Sequence, residues 1–391
     1  MGSGRLAGDR DGGKMVEFDF IVIGGGMAGA SAAYELSGSS RVLVLEQEDQ
    51  PGYHSTGRSA ALYAETYGNR TIRGLTTGGK AFYLDPPPGF TEHPLLRPRG
   101  VMFIGRADQQ AALDRFLAEV AGLRSNIRRI EVAEAYARSP ALRPGYVAGA
   151  VLDPDAMDIE VHALHHGYLR GLKARGGQVL TDAALQSLER QGSCWLAGTR
   201  AGEFRGRVVI DAAGAWCDEI AVMAGAAPVG LVPKRRTAIL FQPPAGIDPR
   251  GWPSVIDADE QFYFRPDAAR VMASPADETP MPPCDVQPDE LDIAILIDRL
   301  EKVANLPVTR IENRWAGLRT FAKDKTPVVG YDPHVEDFFW LAGQGGYGIQ
   351  TAPGLSRLVA ALARHEPVPS DLANLGVREE VLSPARFISG T

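Results

Sequence analysis

Residues 18–46 read FDFIVIGGGMAGASAAYELSGSSRVLVLE. The apolar run at the start is typical of a buried parallel strand. The glycines Gly24, Gly26 and Gly29 have the G-x-G-x-x-G spacing. This spacing allows a tight turn, a close backbone approach to a pyrophosphate and close packing of the helix on the strand. Glu46 follows about twenty residues later, where a carboxylate can accept hydrogen bonds from a ribose diol. The stretch therefore predicts a dinucleotide-binding unit.

A second glycine-rich segment, PGYHSTGRSAA, follows at 51–61. Loops with this content of glycine and hydroxyl groups can wrap a phosphate and the middle of a long cofactor. The small residues Ala28, Ala30, Ser31, Ala32 and Ala33 continue a helix after the glycine turn, and its positive N-terminal end should face the phosphates. Both segments therefore indicate the same ligand.

Composition limits the class of protein. The chain has 391 residues, 45% of them hydrophobic and 23% charged, which suits a globular protein of two structural units. No apolar run reaches the length of a membrane span and no signal peptide is evident, so we expect a cytoplasmic protein. A net charge of −7 argues against a nucleic-acid surface. The three cysteines and seven histidines are scattered, and no metal site is predicted.

Later segments return to the cofactor unit. A helix is predicted at 161–174, a strand at 178–180, a meander at 184–204 and another strand at 207–210 that ends in small residues. Near the C-terminus, a strand at 338–342 precedes a glycine-rich loop at 343–353 and a helix at 355–363. We therefore expect a discontinuous cofactor domain from 15–96, 154–227 and 320–391. Residues 97–153, with a helix at 109–123, and 228–319 form a substrate domain, and 1–14 is a disordered extension or tag.

Seven blocks together resemble the D-amino acid oxidase superfamily of flavoproteins, and most closely the bacterial D-amino acid dehydrogenases of the D-arginine dehydrogenase kind. The blocks are VIGGGMAGASAAYEL (22–36), QPGYHSTGRSAA (50–61), HPLLRPR (93–99), DAAGAWCDEIA (211–221), PKRR (233–236), WAGLRTF (315–321) and GQGGYGIQTAP (343–353). The resemblance implies an α/β fold, with a glutathione-reductase-type (Rossmann-like) FAD-binding domain and an α+β substrate domain with a mixed sheet.

The resemblance also implies that FAD is held without a covalent bond, because no Cys or His matches a flavinylation site. The residues predicted at the cofactor are Gly24, Gly26, Met27, Ala28, Gly29, Glu46, Gln47, Ser55, Thr56, Gly57, Arg58, Ser59, Ala60, Ala61, Val179, Ala213, Gly214, Trp216, Gly343, Gly345, Gly346, Tyr347, Gly348, Ile349 and Gln350.

Five residues match catalytic positions of the family. Arg236 and Arg319 match the arginines that hold the substrate carboxylate, and arginine is the side chain suited to bidentate carboxylate recognition. Tyr67 and Tyr263 match tyrosines beside the substrate, and the carbonyl of Gly346 matches an acceptor for the amine. Without the resemblance, the arginines could equally be a surface charge and a structural ion pair, and the tyrosines core aromatics. The implied reaction transfers a hydride from Cα to the flavin, and water then hydrolyses the imino acid to a 2-oxo acid and ammonia.

Substrate choice is where the sequence departs from the D-arginine branch. Val101 stands where that branch has a glutamate that meets the guanidinium, and Leu62 and Ala64 replace a histidine and a threonine. A cationic side chain buried against such a wall would lack a partner. We therefore expect a D-amino acid substrate with an apolar side chain, and oxygen or a quinone-type carrier as electron acceptor.

Three other functions stay open at this point. Glycine and sarcosine oxidases share the fold and the carboxylate clamp. A 2-hydroxy acid dehydrogenase would need a histidine base near the flavin, and we expect no histidine in the matched pocket segments. A flavin-binding regulatory or RNA-modifying protein is a different class, which the acidic charge disfavours.

Overall fold

The computed structural model describes residues 10–11, 14–15, 17–123 and 126–387. The extension predicted at 1–14 lies outside these ranges, apart from Arg10–Asp11 and Lys14. Within them the strands are β1 (Arg10–Asp11), β2 (Lys14–Met15), β3 (Glu17–Ile23), β4 (Val42–Leu45), β5 (Leu62–Tyr63), β6 (Leu96–Pro98), β7 (Val101–Gly105), β8 (Arg128–Ile130), β9 (Gly149–Asp153), β10 (Met157–Ile159), β11 (Gln178–Leu180), β12 (Leu185–Gln191), β13 (Cys194–Thr199), β14 (Gly202–Asp211), β15 (Val232–Phe241), β16 (Ser254–Asp257), β17 (Tyr263–Asp267), β18 (Arg270–Ser274), β19 (Ile311–Phe321), β20 (Val328–Tyr331) and β21 (Phe338–Ala342).

The helices in the same ranges are α1 (Met27–Leu36), α2 (Arg70–Leu84), α3 (Gln110–Val120), α4 (Val132–Arg138), α5 (Val161–Ala174), α6 (Cys217–Met223), α7 (Glu290–Val303), α8 (Gly348–Ala363), α9 (Ser370–Asn374) and α10 (Glu379–Leu382). None of these helices combines the length and the hydrophobicity that a membrane crossing requires.

The first eight-stranded sheet carries the glycine turn. Its parallel strands β11, β4, β3 and β14 lie side by side, β21 pairs in parallel with the C-terminal half of β14, and β12, β13 and β14 form the antiparallel meander. Side chains alternate along β3, as strand geometry requires. Phe20 and Val22 pack against α1 and α8, whereas Ile21 and Ile23 pack against the meander and α6. Both faces of the sheet are therefore covered.

The second eight-stranded sheet is mixed and has the order β19-β15-β18-β17-β16-β7-β9-β8, in which β16 and β7 are parallel. On β7, Met102 and Ile104 pack toward α7 and the core of this unit. Val101 and Phe103 point to the opposite face, toward the cleft described below. A small sheet, β5-β10-β6, lies beside the two large sheets.

This architecture confirms the predicted fold class. Strands β7 to β9 and β15 to β18 fall within the ranges predicted for the substrate domain, and β19 runs on to Phe321. The exact domain boundaries stay a prediction.

One helix begins earlier than the sequence suggests. The loop predicted at 343–353 is shorter, because α8 starts at Gly348 and includes Pro353. Proline lacks the N–H that would bond to the carbonyl four residues earlier. That carbonyl, of Ile349, accepts a hydrogen bond from the Tyr83 hydroxyl at 2.5 Å instead. A side chain of α2 therefore permits the proline inside α8.

Candidate functional site

The glycine turn between β3 and α1 has no room for side chains at two positions. Gly24 has a φ of +103°, and a Cβ atom there would lie 2.6 Å from the carbonyl oxygen of Ala212. A Cβ atom on Gly29 would lie 1.9 Å from the carbonyl oxygen of Gly24. Gly29 thus lets α1 pack directly on the turn, as the motif predicts.

Glu46 holds the turn from the second strand. One carboxylate oxygen accepts the Gly25 amide at 2.7 Å and the other accepts the Glu48 amide at 3.0 Å. Burial raises the pKa of Glu46, and the two backbone hydrogen bonds oppose that rise. The carboxyl group also lines the cleft, where a ribose diol could donate to its remaining lone pairs.

His165 fixes the opposite side of the same turn. Its Nε2 lies 2.8 Å from the carbonyl oxygen of Gly25, and burial lowers the pKa of the ring to about 4. The ring is therefore neutral at pH 7 and donates its Nε2–H to this carbonyl. The neighbouring His166 is exposed. Of these two adjacent histidines, only His165 makes a hydrogen bond to the turn among the described residues.

The predicted cofactor loop folds over the N-terminus of α1. The hydroxyl of Thr56 accepts the Met27 amide at 2.9 Å, and the Gly57 amide donates to Gly52 O at 2.8 Å. Gly26 and Ala28 line the cleft beside this loop, and a Cβ atom on Gly26 would have only the Thr56 hydroxyl within 4 Å, at 3.3 Å. This open cradle at a helix N-terminus, with Glu46 beyond it, fits the pyrophosphate and ribose of a dinucleotide.

One cleft, with a volume of about 460 Å³, joins the glycine turn to the second sheet. A volume of this size is typical of a ligand-binding site. The predicted cofactor residues that line it are Gly24, Gly26, Met27, Ala28, Glu46, Gln47, Ser55, Thr56, Arg58, Ser59, Ala60, Ala61, Ala213, Gly214, Trp216, Gly345, Gly346, Gly348, Ile349 and Gln350.

Five predicted cofactor residues lie behind this surface. Gly29 and Gly57 shape the turn and the loop, and Val179 lies on β11 against the core formed with α1 and α8. Gly343 follows β21 with a φ of +71°, a left-handed backbone conformation that glycine adopts readily. The ring of Tyr347 packs at a tilt of 57° against the ring of Tyr67, with the ring centroids 4.8 Å apart.

Gln350 reaches the cleft, but its side chain binds protein groups. Its amide nitrogen donates to the hydroxyl of Thr76 at 3.1 Å, and its oxygen lies 3.4 Å from the amide nitrogen of Ala64. The residue therefore connects the first turn of α8 to α2 and to the substrate side of the cleft.

The two predicted carboxylate-binding arginines come from paired strands. In the register of β15 and β19, Arg236 lies opposite Gly317 and Lys234 lies opposite Arg319. The side chains of Lys234, Arg236 and Arg319 therefore lie on the same face of the sheet. Glu278 binds Lys234 at 2.8 Å and Arg236 at 3.2 Å. The single negative charge of Glu278 is thus shared between Lys234 and Arg236.

Arg319 differs from its neighbours because it has no such partner. It is half-buried, lines the cleft, and makes no ion pair or hydrogen bond with the side chains that the structure describes. A Cβ atom on Gly346 would lie 3.0 Å from Arg319 Nη1 and 3.4 Å from the Tyr67 hydroxyl oxygen. These three predicted residues therefore meet at one point of the cleft, beside a free guanidinium group that an anion can bind.

Tyr263 completes this group from β17, where it pairs with Ile256 of β16. Both Tyr67 and Tyr263 are half-buried and line the cleft. Burial is the main cause that raises the pKa of Tyr67. Its hydroxyl is therefore a protonated hydrogen-bond donor at neutral pH.

The predicted side-chain wall forms a single apolar cluster. Val101 and Ala64 are buried in it with Ala156, and Leu62 packs against them. Phe103, two residues after Val101 on β7, belongs to the same cluster; the sequence reasoning missed it. Strand alternation around Val101 could have identified Phe103, because positions two apart share a face.

Further cleft residues were missed because their positions depend on tertiary structure. Ile256 pairs with Phe103 across β16 and β7, and Glu260 lies exposed on the turn after β16. Both line the cleft. His54 lines it too, against the expectation of no histidine there. It lies on the cofactor loop, with its Nε2 2.8 Å from the Glu48 carboxylate and its ring packed at a tilt against Trp216, the centroids 4.8 Å apart.

Comparison with known proteins agrees with this geometry. A family model described as FAD dependent oxidoreductase matches residues 19–362. The oxidoreductase YurR of Bacillus subtilis (strain 168) is 24% identical over 90% of this chain and 97% of its own length. A glycine oxidase of Bacillus licheniformis is 22% identical over 90% of this chain and 95% of its own length. The crystal structure of glycine oxidase from Geobacillus kaustophilus superposes with a TM-score of 0.81 at 20% identity, covering 95% of this chain and 100% of that one.

The glycine turn, the Glu46 carboxylate and the cleft fit the cofactor that the sequence predicted, and the family model covers nearly the whole described chain. The resemblance to the D-arginine dehydrogenase kind stays a prediction. The chain belongs to the family of FAD dependent oxidoreductases, and FAD is its cofactor.

Proposed function

We propose that the protein oxidises D-amino acids with apolar side chains to 2-oxo acids and ammonia. The observation that carries this proposal is the free guanidinium group of Arg319, beside Gly346 and Tyr67 in the cleft. Bound FAD supplies the hydride acceptor for the Cα–H bond. The protein's own residues bind the substrate, orient it and exclude water.

Arg319 is the principal carboxylate ligand in this proposal. A guanidinium group without an acidic partner in a half-buried site is stabilised when a planar carboxylate binds it with two parallel hydrogen bonds. Arg236 is close on the same sheet face but shares its charge with Glu278, so it adds a second and weaker contact. The hydroxyl groups of Tyr67 and Tyr263 can donate to the same carboxylate.

The amine is oriented by an acceptor rather than by a base. The carbonyl of Gly346 can accept one N–H of a neutral amine while Arg319 holds the carboxylate. Two fixed groups on one substrate define the direction of the Cα–H bond, and such positioning lowers the barrier without a dedicated general base.

The apolar wall supports the choice of side chain. Val101 and Ala64 are 3% and 7% exposed, and Phe103 and Ile256 extend the same surface. A cationic side chain would lose its hydration against this wall and gain no partner there, which is unfavourable. Glu260 lies on the exposed turn after β16 rather than within the wall.

The direct test is anaerobic bleaching of the flavin spectrum with a panel of D-, L- and N-methyl amino acids and 2-hydroxy acids. We expect D-Leu, D-Met and D-Phe to reduce the flavin faster than D-Arg, D-Lys or any L-isomer. Reduction by 2-hydroxy acids alone, or by no small substrate, would reject the proposal. Oxygen uptake by the reduced protein then separates an oxidase from a dehydrogenase, and FAD recovered from denatured protein tests the non-covalent attachment.

Arg319→Met tests the carboxylate clamp. We expect kcat/KM to fall by about 30-fold to several thousand-fold, which corresponds to about 2–5 kcal/mol for one partner of a buried charge pair. Arg319→Lys is the matched control, because lysine keeps the positive charge but cannot form the two parallel hydrogen bonds of a guanidinium group. It should recover only part of the lost kcat/KM. An unchanged kcat/KM in Arg319→Met would remove this residue from the site.

Val101→Glu tests whether the apolar wall selects against substrates with cationic side chains. A charge-assisted hydrogen bond in a partly buried site contributes about 1.5–3 kcal/mol, so the ratio of kcat/KM for D-Arg over D-Leu should rise at least about tenfold. Val101→Gln has a similar size without the charge and should leave D-Arg poor. If both variants change the ratio equally, side-chain size rather than charge sets the preference.

A second candidate is oxidation of glycine or an N-methyl glycine. It is favoured by the glycine oxidases among the similar proteins. Such substrates leave the apolar wall without a contact, so Val101→Glu would not alter their kcat/KM. The same panel of substrates therefore separates the two candidates.

A further inference from the structure

Arg58 lies on the cofactor loop and lines the cleft, but its guanidinium group binds protein groups. We infer, building on the proposed role of Arg319, that Arg58 is a positioning residue that fastens this loop to β19 and thereby sets the place of the Arg319 guanidinium. The role predicted from sequence was a contact with the cofactor. The contacts of the side chain favour the different role.

The guanidinium group of Arg58 is bound to protein groups on its two terminal nitrogens. Nη1 donates to the carbonyl oxygens of Ala316 at 3.1 Å and Val286 at 3.2 Å. Nη2 binds the carboxylate of Asp285 at 2.5 Å, and the group lies over the ring of Tyr53 at 4.9 Å. The side chain is only 15% exposed. Its charge and most of its donors are thus already used within the protein, which leaves little for a phosphate.

Two further hydrogen bonds join the loop to the same strand. The backbone carbonyl of Arg58 accepts the indole N–H of Trp315 at 3.0 Å, and the hydroxyl of Ser55 donates to Leu318 O at 2.6 Å. Between them, a Cβ atom on Gly317 would lie 3.5 Å from the Cβ atom of Arg58. The loop therefore hydrogen-bonds to Trp315, Ala316 and Leu318, three of the four residues that directly precede Arg319.

The other side of the loop rests on the glycine turn. The hydroxyl of Thr56 accepts the Met27 amide, and the loop is closed by the bond from Gly57 to Gly52. The cofactor turn, the loop and the carboxylate-binding strand thus form one hydrogen-bonded path. A residue that holds β19 against this path keeps Arg319 in register with the cofactor, and small displacements of such groups weaken binding strongly.

Arg58→Lys separates the two roles. Lysine keeps the positive charge and can still pair with Asp285, but it cannot bind both carbonyl oxygens with one planar group. If Arg58 served only to attract phosphates, the lysine variant would behave much like the parent protein. If Arg58 positions β19, the lysine variant should bind carboxylates about as weakly as Arg58→Met, because neither variant can hold both carbonyl oxygens.

The experiment uses FAD-loaded protein and benzoate, a carboxylate that cannot be oxidised at Cα, with the dissociation constant read from the flavin spectrum. We expect Arg58→Lys and Arg58→Met to raise the benzoate Kd about tenfold, equivalent to about 1.4 kcal/mol. The FAD Kd should stay within about twofold of the parent. Hydrogen exchange in 311–321 should accelerate, and the loss in D-Leu turnover should appear mainly in KM. Ser55→Ala, which removes the independent bond to Leu318, should shift each quantity in the same direction by less.

Arg250→Met is the matched control, because it removes an exposed arginine that pairs with Asp248. It should leave the benzoate Kd unchanged. The positioning role is overturned if Arg58→Met weakens FAD binding while Arg58→Lys restores it and benzoate binding to the loaded protein is unaffected. Arg319→Met distinguishes failure of the proposed function from failure of the positioning role alone. If it leaves benzoate binding intact, the proposed function fails; if it abolishes binding while the Arg58 and Ser55 variants do not alter it, only the positioning role fails.

Discussion

Replacing Asp211 with Asn should stabilise the protein at neutral pH. Asp211 ends β14 and is fully buried beneath the loop that leads into Gly214. One carboxyl oxygen accepts the Ala213 amide at 3.2 Å, and the other has no hydrogen-bond partner among the described residues. Burial raises the pKa of this carboxyl from its ordinary 3.8 to about 8. The folded protein therefore holds it as a neutral acid at pH 7.

The magnitude follows from proton linkage. Because the folded-state pKa of Asp211 is raised, its contribution to stability is fully present below the unfolded pKa and is lost as pH rises toward 8. Between pH 4 and pH 8 the free energy of unfolding should fall by up to about 1.4 kcal/mol per pH unit. At pH 7, about three pH units above the unfolded pKa, the cost amounts to about 4 kcal/mol, and relaxation of the surroundings reduces it to about 2–4 kcal/mol. The neutral amide of Asp211→Asn avoids this cost.

The assay is the melting temperature of FAD-loaded protein, at a fixed excess of FAD, from pH 4.5 to pH 9. For a chain of this size, we expect Asp211→Asn to melt about 2–5 °C above the parent at pH 7, with a difference that grows up to pH 8 and then levels off. Asp257→Asn is a control for which we expect the melting temperature to fall rather than rise. Asp257 is also fully buried but accepts hydrogen bonds from Gln109, Asp259 and Gln261, so its loss of charge should destabilise the protein. A difference for Asp211→Asn that is negative, or that does not vary with pH, would refute a neutral buried acid.

Three further predictions concern the cleft and its supports. Gly346→Ala places a methyl group 3.0 Å from the Arg319 guanidinium; the benzoate Kd should rise about 10- to 100-fold with FAD still bound. Tyr83→Phe leaves the Ile349 carbonyl unpaired beside Pro353 and should cost about 1–3 kcal/mol of unfolding free energy, measured by chemical denaturation. Since the folded pKa of His165 is lowered to about 4, parent stability should fall between pH 6.5 and pH 4, and His165→Gln should flatten that fall in melting temperature.

Local sequence pattern was enough to predict the glycine turn and the FAD cofactor, whereas the individual cofactor residues stay a prediction. The fingerprint consists of Gly24, Gly26 and Gly29 before a helix and of Glu46 at the end of the next strand. Few other structures require a close backbone approach at this spacing. The structure shows the close approach at Gly24 and Gly29 that this requirement implies. Such predictions succeed because neighbours along the chain supply most of the contacts.

The substrate half was harder to predict, because strand pairing between distant segments forms it. Phe103 and Ile256 meet only in the register of β7 with β16, and Glu278 reaches Arg236 from a separate loop. Arg58 was predicted at the cofactor, since an arginine in a glycine-rich loop suits a phosphate. Its partners on β19 lie more than 250 residues further along the chain. Composition of a loop does not indicate which way its arginine turns.

The pairing of β14 with both β3 and β21 affects how the protein is made. The ribosome delivers the glycine turn first, whereas β21 and α8, which cover the sheet and the faces of α1 and α2, come from 338–363. Until these residues emerge, the nascent chain exposes an unpaired strand edge and uncovered apolar helices, and such surfaces invite aggregation. We therefore expect FAD capture to be a late event in biosynthesis, after residues 338–363 have emerged.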